Sequence, residues 1–265
     1  MLKIIDVCKT FNAGTVNEKQ ALKNLSLTLK EGDFVTVIGG NGAGKSTMLN
    51  AITGVFPVDS GSVVVDGNDI TKLPEHKRAK YIGRVFQDPM MGTAADMLVE
   101  ENLSIAERRG KHRFIKWAIT KKDRQRYKEL LTQLDLGLET RLTSKMGLLS
   151  GGQRQAVTLL MAAMQKPKLL LLDEHTAALD PATAAKVLEL TDKIIAENKL
   201  TAIMITHNMR DAIKHGNRLI MMNQGEIIFD ISGEEKSKLS KTDLMNKFAE
   251  IAGQNQESDR MALSQ

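Results

Sequence analysis

Cysteine is almost missing from this 265-residue chain. Cys8 is the single one, so no internal disulfide can form, as suits a reducing cytosol. Long hydrophobic runs are missing too. The most apolar stretches, 156–164 and 169–172, are too short to cross a bilayer. The opening Met1-Leu2-Lys3-Ile4-Ile5-Asp6 lacks the charged-then-apolar plan of a secretory signal, so no leader is expected. His76, His112 and His215 fit no ligand spacing, which leaves no zinc site in view. Neither an internal repeat nor a low-complexity tract interrupts the chain. Net charge is only +5, too modest to argue for nucleic acid, while 42% hydrophobic content supports an ordinary globular core.

The charge is nevertheless uneven. Ten Lys/Arg lie between Arg108 and Lys128 against one acid, Asp123. Such a run reads either as the solvated face of helices or as a surface for anionic lipid headgroups, with nucleic acid the weakest reading. Phe114, Ile115, Trp117 and Ile119 interleave with it and could bury an opposite face.

What the sequence does contain is a phosphate-binding pattern. Residues 39–47 read Gly-Gly-Asn-Gly-Ala-Gly-Lys-Ser-Thr, with Gly39, Gly44, Lys45 and Ser46 at the positions of G-x-x-x-x-G-K-[ST]. Glycines here let successive N–H groups turn toward phosphate oxygens; Asn41, Gly42, Ala43 and Thr47 complete the loop. Lys45 supplies charge for the β- and γ-phosphates, and Ser46 a hydroxyl ligand for Mg²⁺. The apolar run 34–38 predicts a buried strand into the loop. Met48, Leu49 and Ile52 have helical spacing after it, and Gly54 predicts the helix stop. The chain is expected to bind ATP or GTP.

Around this motif the first third reads as β-rich, with strands over 4–11, through Leu25, Leu27 and Leu29, and over 81–86. Val63-Val64-Val65 before Asp66-Gly67 predicts one arm of a hairpin. From about Asp96 to Gln165 the texture turns helical, an insertion expected to begin between Pro89 and Asp96. Strands are predicted at 169–172 and 200–206, with a helix from Asp180-Pro181 to about Glu197 between them. That alternation implies a parallel sheet with right-handed crossovers. Residues 219–222 and 226–229 predict a hairpin, and the polar tail from Gly253 a frayed end.

Two further segments carry chemistry. The strand 169–172 ends in Asp173-Glu174, and ligands in open α/β sheets sit off the carboxyl ends of strands. Asp173 is then placed to hold hydrated Mg²⁺, and Glu174 to orient or polarise an attacking water. Leu149-Ser150-Gly151-Gly152-Gln153 reads as a helix start, with Ser150 and Gln153 forming a capping box. An exposed helix N-terminus is also an anion site, so cap and phosphate contact both stand.

Taken together, the loop at 39–47, Gln87 closing a strand, Ser150–Gln153, Leu-Leu-Leu-Leu-Asp-Glu at 169–174, Ala-Ala-Leu-Asp at 177–180 and Thr-His at 206–207 resemble ABC-type ATPases in order and spacing. The resemblance spans roughly residues 1–230. It implies a P-loop NTPase core of α/β class with a mostly parallel sheet, an N-terminal antiparallel β subdomain and an inserted helical subdomain at about 90–165. Residues 231–265 would form a helical extension and polar tail. It also implies a head-to-tail dimer sandwiching two ATP molecules, in which Ser150, Gly151, Gly152 and Gln153 meet the γ-phosphate held by the other chain. Gln87 would contact Mg²⁺ and the water, Glu174 would be the catalytic carboxylate, and His207 the switch histidine; a lone loop histidine is the plainer reading of the last. Asp180 would cross the interface, although Asp180-Pro181 is equally an N-cap and N1 pair. Phe11 would stack on adenine, unless it is core. His175 departs from the proline common at its position and would put a titratable group near the γ-phosphate.

An ATPase of this kind needs an object to work on. A transporter subunit docking separate membrane permeases, with 87–99 gripping a cytoplasmic helix, is one reading; a soluble machine such as iron–sulfur cluster assembly is the other. About 100 residues separate Lys45 from Ser150, too few for the long coiled coil of SMC-like ATPases. Ribosome-acting members usually carry two cassettes, and the resemblance supplies one. Asp173-Glu-His-Thr-Ala-Ala-Leu-Asp-Pro-Ala-Thr, Gly92-Thr-Ala-Ala-Asp-Met and Glu100-Glu-Asn-Leu resemble bacterial importers of tryptophan/tyrosine type, with some likeness to branched-chain systems. The implied partners are a second copy, membrane permeases and an extracellular substrate-binding protein, without nucleic acid. The implied location is the cytoplasmic face of the cell membrane.

Overall fold

A computed structural model describes residues 1–110 and 119–252. Strand β1 (Leu2–Phe11) pairs antiparallel with β2 (Lys19–Leu29) and with β4 (Ser60–Val65), which turns through Asp66-Gly67 into the short β5 (Asn68–Asp69). The larger sheet has the order β10-β9-β3-β8-β7-β6. Its strands β3 (Phe34–Ile38), β6 (Ile82–Val85), β7 (Leu169–Asp173), β8 (Thr201–Ile205) and β9 (Arg218–Asn223) run parallel, and β10 (Glu226–Ser232) closes the edge antiparallel. The expected hairpins are present. Turn residues Gln224 and Gly225, at φ 47° and 87°, suit the primed two-residue turn.

The continuous apolar runs have a direct cause: the central strands are buried on both faces. In β7, Leu169 and Leu171 face one core with β1, β2 and α1 (Lys45–Thr53), whereas Leu170 and Leu172 face the other. That second core holds α3 (Val99–Glu107), α4 (Lys121–Thr132), α5 (Gly151–Ala163) and α6 (Pro181–Asn198). Replacing one of these fully buried leucines by alanine costs about 2–5 kcal/mol. The helical segment closes on itself at its base, where Val99 N–H donates to Ser144 O at 3.0 Å and Met146 N–H to Met97 O at 2.9 Å. Regular helix starts at Val99, a few residues after the expected bracket, because 86–98 runs as turns.

Beyond the hairpin, α7 (Met209–Lys214) and the C-terminal α9 (Lys241–Ala252) pack with β9, burying Met209, Leu219, Met221 and Leu244; the short α2 (Glu75–Arg78) and α8 (Gly233–Ser237) complete the helices described. Part of the basic run is tied into ion pairs at the surface. Arg124 makes two bonds, 2.7 and 2.9 Å, to the buried Glu100 carboxylate, and Arg126 pairs with Glu107 and Asp123. Lys121, Lys122 and Lys128 are exposed. Lys111, His112, Arg113, Phe114, Ile115, Lys116 and Trp117 lie outside the described residues, as does the tail from Gly253.

Candidate nucleotide site

The phosphate loop leaves β3 and enters α1 under tight backbone packing. A Cβ on Gly39 would sit 2.3 Å from Met222 O, and one on Gly44 would sit 2.7 Å from Ala21 O. Gly44 is also at φ 100°, where a side chain is strained, and it starts α1 with no side-chain cap. No acid occupies the first turn of that helix. Its N-terminal dipole is therefore uncompensated by carboxylates and suits an anion. Lys45 is buried at 6% exposure, and its Nζ donates to Gly39 O at 2.7 Å and Gly40 O at 3.0 Å, which aims the ammonium across the loop.

This loop floors a cavity of about 340 Å³ lined by Phe11, Lys19, Ala21, Asn41, Gly42, Ala43, Gly44, Lys45, Ser46, Thr47, Glu174 and His207. Four separate sequence motifs thus share one cleft. Phe11 stands at its mouth, half-buried and edge-on to Phe56 with centroids 5.2 Å apart. Lys19 was not expected: it is paired opposite Phe11 in the β1–β2 register, and its Nζ lies 3.1 Å from a Cβ built on Gly42. No motif announces it; only the strand pairing could have found it.

Glu174 leaves β7 at φ 47°, an unusual conformation for a residue with a Cβ, and its N–H donates to Ile205 O. The turn brings its Oε1 to 2.6 Å from Nε2 of His207. Burial raises the carboxyl, but the His207 hydrogen bond, the His207 charge and Lys45 together outweigh burial and hold it below its ordinary value. An ionised carboxylate in reach of a histidine can accept or orient a water proton.

Asp173 and Gln87 are not in that lining. Asp173 is largely covered and ion-paired at 3.0 Å with Arg84 of β6, while Gln87 is exposed three residues further along the same segment. Ser46, Asp173 and Gln87 offer oxygen donors alone, the chemistry a hard ion such as Mg²⁺ takes. Arg84 was also missed, since no motif includes it.

Ser150, Gly152 and Gln153 border a different cavity of about 500 Å³, beside Thr183 and Lys186. The capping box is present but long, with Gln153 N–H to Ser150 Oγ at 3.3 Å and Ser150 N–H to Gln153 Oε1 at 3.2 Å. Ser150 and Gly151 are exposed. Gly152 lets α5 approach α6, since a Cβ there would meet Thr183 Cγ2 at 2.1 Å. Asp180 caps α6, accepting from Thr183 N–H at 3.1 Å with Pro181 at N1.

His175 overturns its expectation. The ring is only 2% exposed, absent from the nucleotide cleft, and its Nε2 lies 3.0 Å from Thr191 Oγ1 on α6. Burial, then the charge of His215, pushes it down to about 4. It is a core group held against α6.

The ABC transporter family model matches residues 22–177, more than half of the chain. A tyrosine transport ATP-binding protein of Clostridioides difficile is 44% identical over 248 residues, covering 94% of this chain and 98% of the relative. A methionine import ATP-binding protein of Enterococcus faecalis is 34% identical over 98% of this chain and 72% of its own length. Among solved structures, the dimeric post-hydrolysis form of the ATP-binding cassette MJ0796 with ADP and Pi matches at TM-score 0.75 and 32% identity, covering 88% of this chain and 98% of that one. The cbiO1 protein of Clostridium perfringens, part of the transporter complex cbiONQ, matches at TM-score 0.75 and 26% identity over 93% of each chain. With a phosphate loop, the strand-end Glu174 and His207 gathered in one cleft, the chain belongs to the ABC transporter family as an ATP-binding, ATP-hydrolysing cassette.

Proposed function

We propose that this cassette is the ATPase subunit of an importer for amino acids, aromatic ones foremost, and that it works as a head-to-tail dimer. One observation carries the dimer: the motif residues are divided between two faces of one chain. Phe11, the 39–47 loop, Glu174 and His207 share a cleft, whereas Ser150, Gly152 and Gln153 border a separate cavity. A second copy turned end for end brings the exposed N-terminus of its α5 to the γ-phosphate of the first. Ser150 and the Gly151 and Gly152 backbone would then donate to that phosphate, and Asp180, beside them on α6, would face the partner.

Within each half, Phe11 stacks on adenine and Lys45 bonds the β- and γ-phosphates. Ser46 and Asp173 would hold the Mg²⁺ that accompanies ATP, with Gln87, on the segment after β6, as a further oxygen ligand. When bound, that ion supplies charge neutralisation at the phosphates. Glu174, held ionised, takes a proton from the attacking water, and His207 fixes its carboxylate and contacts the γ-phosphate.

Membrane docking is supported by exposed apolar side chains. Met90, Met91, Ile105 and Leu148 are all exposed. Arg154 gathers two of these segments, donating to Met90 Sδ and, at 2.8 Å, to Gly147 O. Among the described residues no helix is long and apolar enough to span a membrane, so a permease on separate chains would supply the channel. The tyrosine transport relative supports the cargo; an extracellular binding protein and a place at the cytoplasmic face of the membrane belong to the same proposal. Affinity capture with the tagged Glu174→Gln chain, ATP and Mg²⁺ from detergent-solubilised cells tests this. Recovery of a multi-spanning protein is expected; recovery of soluble cluster-assembly proteins instead would sink the transport reading.

A further inference from the structure

We infer that Arg84 is a positioning residue for the divalent-ion site: one guanidinium fixes the relative placement of the three elements that carry Ser46, Asp173 and Gln87. The inference rests on the reading of those three as the metal-site residues. Arg84 stands on β6, three residues before Gln87. Its Nη2 donates to Asp173 Oδ2 at 3.0 Å, at the end of β7. Its Nη1 donates to Asn50 Oδ1 at 2.8 Å and reaches Thr53 Oγ1 at 3.4 Å, both on α1. Asn50 follows Ser46 by four residues, so the two lie on the same face of that helix. The guanidinium also lies over the Phe86 ring, 4.6 Å from its centroid, which sets the plane of the fork.

A staple holding two already paired strands would need none of this reach. Arg84 and Asp173 are only 13% and 14% exposed, and a charge pair that covered is seldom kept for stability alone. Arg84 Nε is buried without a hydrogen-bond partner, so the side chain gives up one donor to present its two terminal nitrogens to different elements. A lysine could carry the charge but not the planar two-way fork. The Asp173 carboxylate is accordingly fixed through Oδ2, at the end of β7, by the same fork that bonds α1.

The test is Mn²⁺ binding, read by electron paramagnetic resonance on protein loaded with a non-hydrolysable ATP analogue. Arg84→Met, Arg84→Lys and Ser46→Ala are compared with the unaltered chain, and nucleotide affinity is measured separately in EDTA. Arg84→Met is expected to weaken Mn²⁺ binding about 10-fold, and Arg84→Lys several-fold, with nucleotide affinity in EDTA unchanged within about twofold. Full Mn²⁺ affinity in Arg84→Lys would show that charge alone suffices and overturn the positioning role. Equal losses of metal and metal-free nucleotide binding would mark Arg84 as merely structural and overturn it as well. If Arg84→Met does not fold, Arg84→Lys decides by the same criterion. Ser46→Ala separates the two levels: normal Mn²⁺ binding there removes the metal-site reading itself. Weakened binding there with normal binding in both Arg84 variants removes the Arg84 inference alone.

Discussion

Helices α1 and α6 both begin at the carboxyl end of the sheet, yet their N-termini are finished in opposite ways. Asp180 closes α6 with its own carboxylate, and Pro181 removes one of the donors that would need a partner. Gly44 brings no side chain to α1, and its first turn holds Lys45 and Ser46 where α6 holds Pro181 and Ala182. A helix start finished by its own residues is complete as a structural element. One opened by glycine and followed by lysine is completed by a phosphate. Helix α5 falls between them: its cap bonds are both beyond 3.1 Å, and two glycines follow. The capping chemistry of three helices thus parallels the proposed division between holding nucleotide, meeting a partner's nucleotide, and scaffolding both.

The largest effect should come from the acid facing α1. Glu174→Gln keeps the shape and removes the base, so turnover should fall by about 10²–10⁴-fold. ATP binding should persist, and the ATP-loaded chain should elute as a dimer in size-exclusion chromatography. Turnover near the unaltered rate would cancel the role of Glu174 and blunt the contrast between α1 and α6.

Next comes His175, bonded to the flank of α6. Its folded pKa of about 4 lies below the unfolded value of 6.5, so the folded state binds fewer protons between those values. Stability should be fully present above about pH 6.5 and decline as pH falls toward 4, by up to about 3 kcal/mol. Asp211, raised by burial, works the other way, because burial favours its protonated form. Thermal melts of His175→Gln at pH 7.5 and 5 check this. The variant should lose less stability on acidification than the unaltered chain, and identical losses would place the acid sensitivity elsewhere. Lys45→Ala follows, with nucleotide affinity expected to drop on the order of 10–100-fold in equilibrium titration, the worth of a charge-assisted bond to phosphate. An unchanged affinity would mean that the uncapped helix start alone holds the anion.

Legibility followed the range of the forces involved. The place of Glu174 in the cleft could be read because a strand buried on both faces shows as an unbroken apolar run, and the residue after its end lies at the cleft. Ser150 and Asp180 could be read because a cap is local, settled within three residues. His175 misled because its neighbours in sequence say nothing of which way a ring turns after Glu174 takes φ 47°; packing against Thr191 decides that. Lys19 and Arg84 escaped for the same reason. The first depends on strand register against Phe11, and the second on the approach of β6, β7 and α1. Within the basic run, the pairing of Arg124 with Glu100, 24 residues away, was equally out of reach of a local reading.

The smallest effect falls on α6, where two roles of one carboxylate can be pulled apart. Asp180→Ala removes the acceptor for Thr183 N–H, and the midpoint of thermal unfolding should fall by about 2–4 °C. Nucleotide affinity of the isolated chain should not move, since Asp180 is outside the cleft. Asp180→Asn keeps a competent cap, because an amide oxygen accepts the same bond, but discards the charge. Melting of that variant should match the unaltered chain. If the charge also crosses to a partner, as proposed, the ATP-dependent dimer of Glu174→Gln should weaken when Asp180→Asn is added. If instead the double variant dimerises as strongly, Asp180 is a cap and nothing more, and α6 is scaffold throughout.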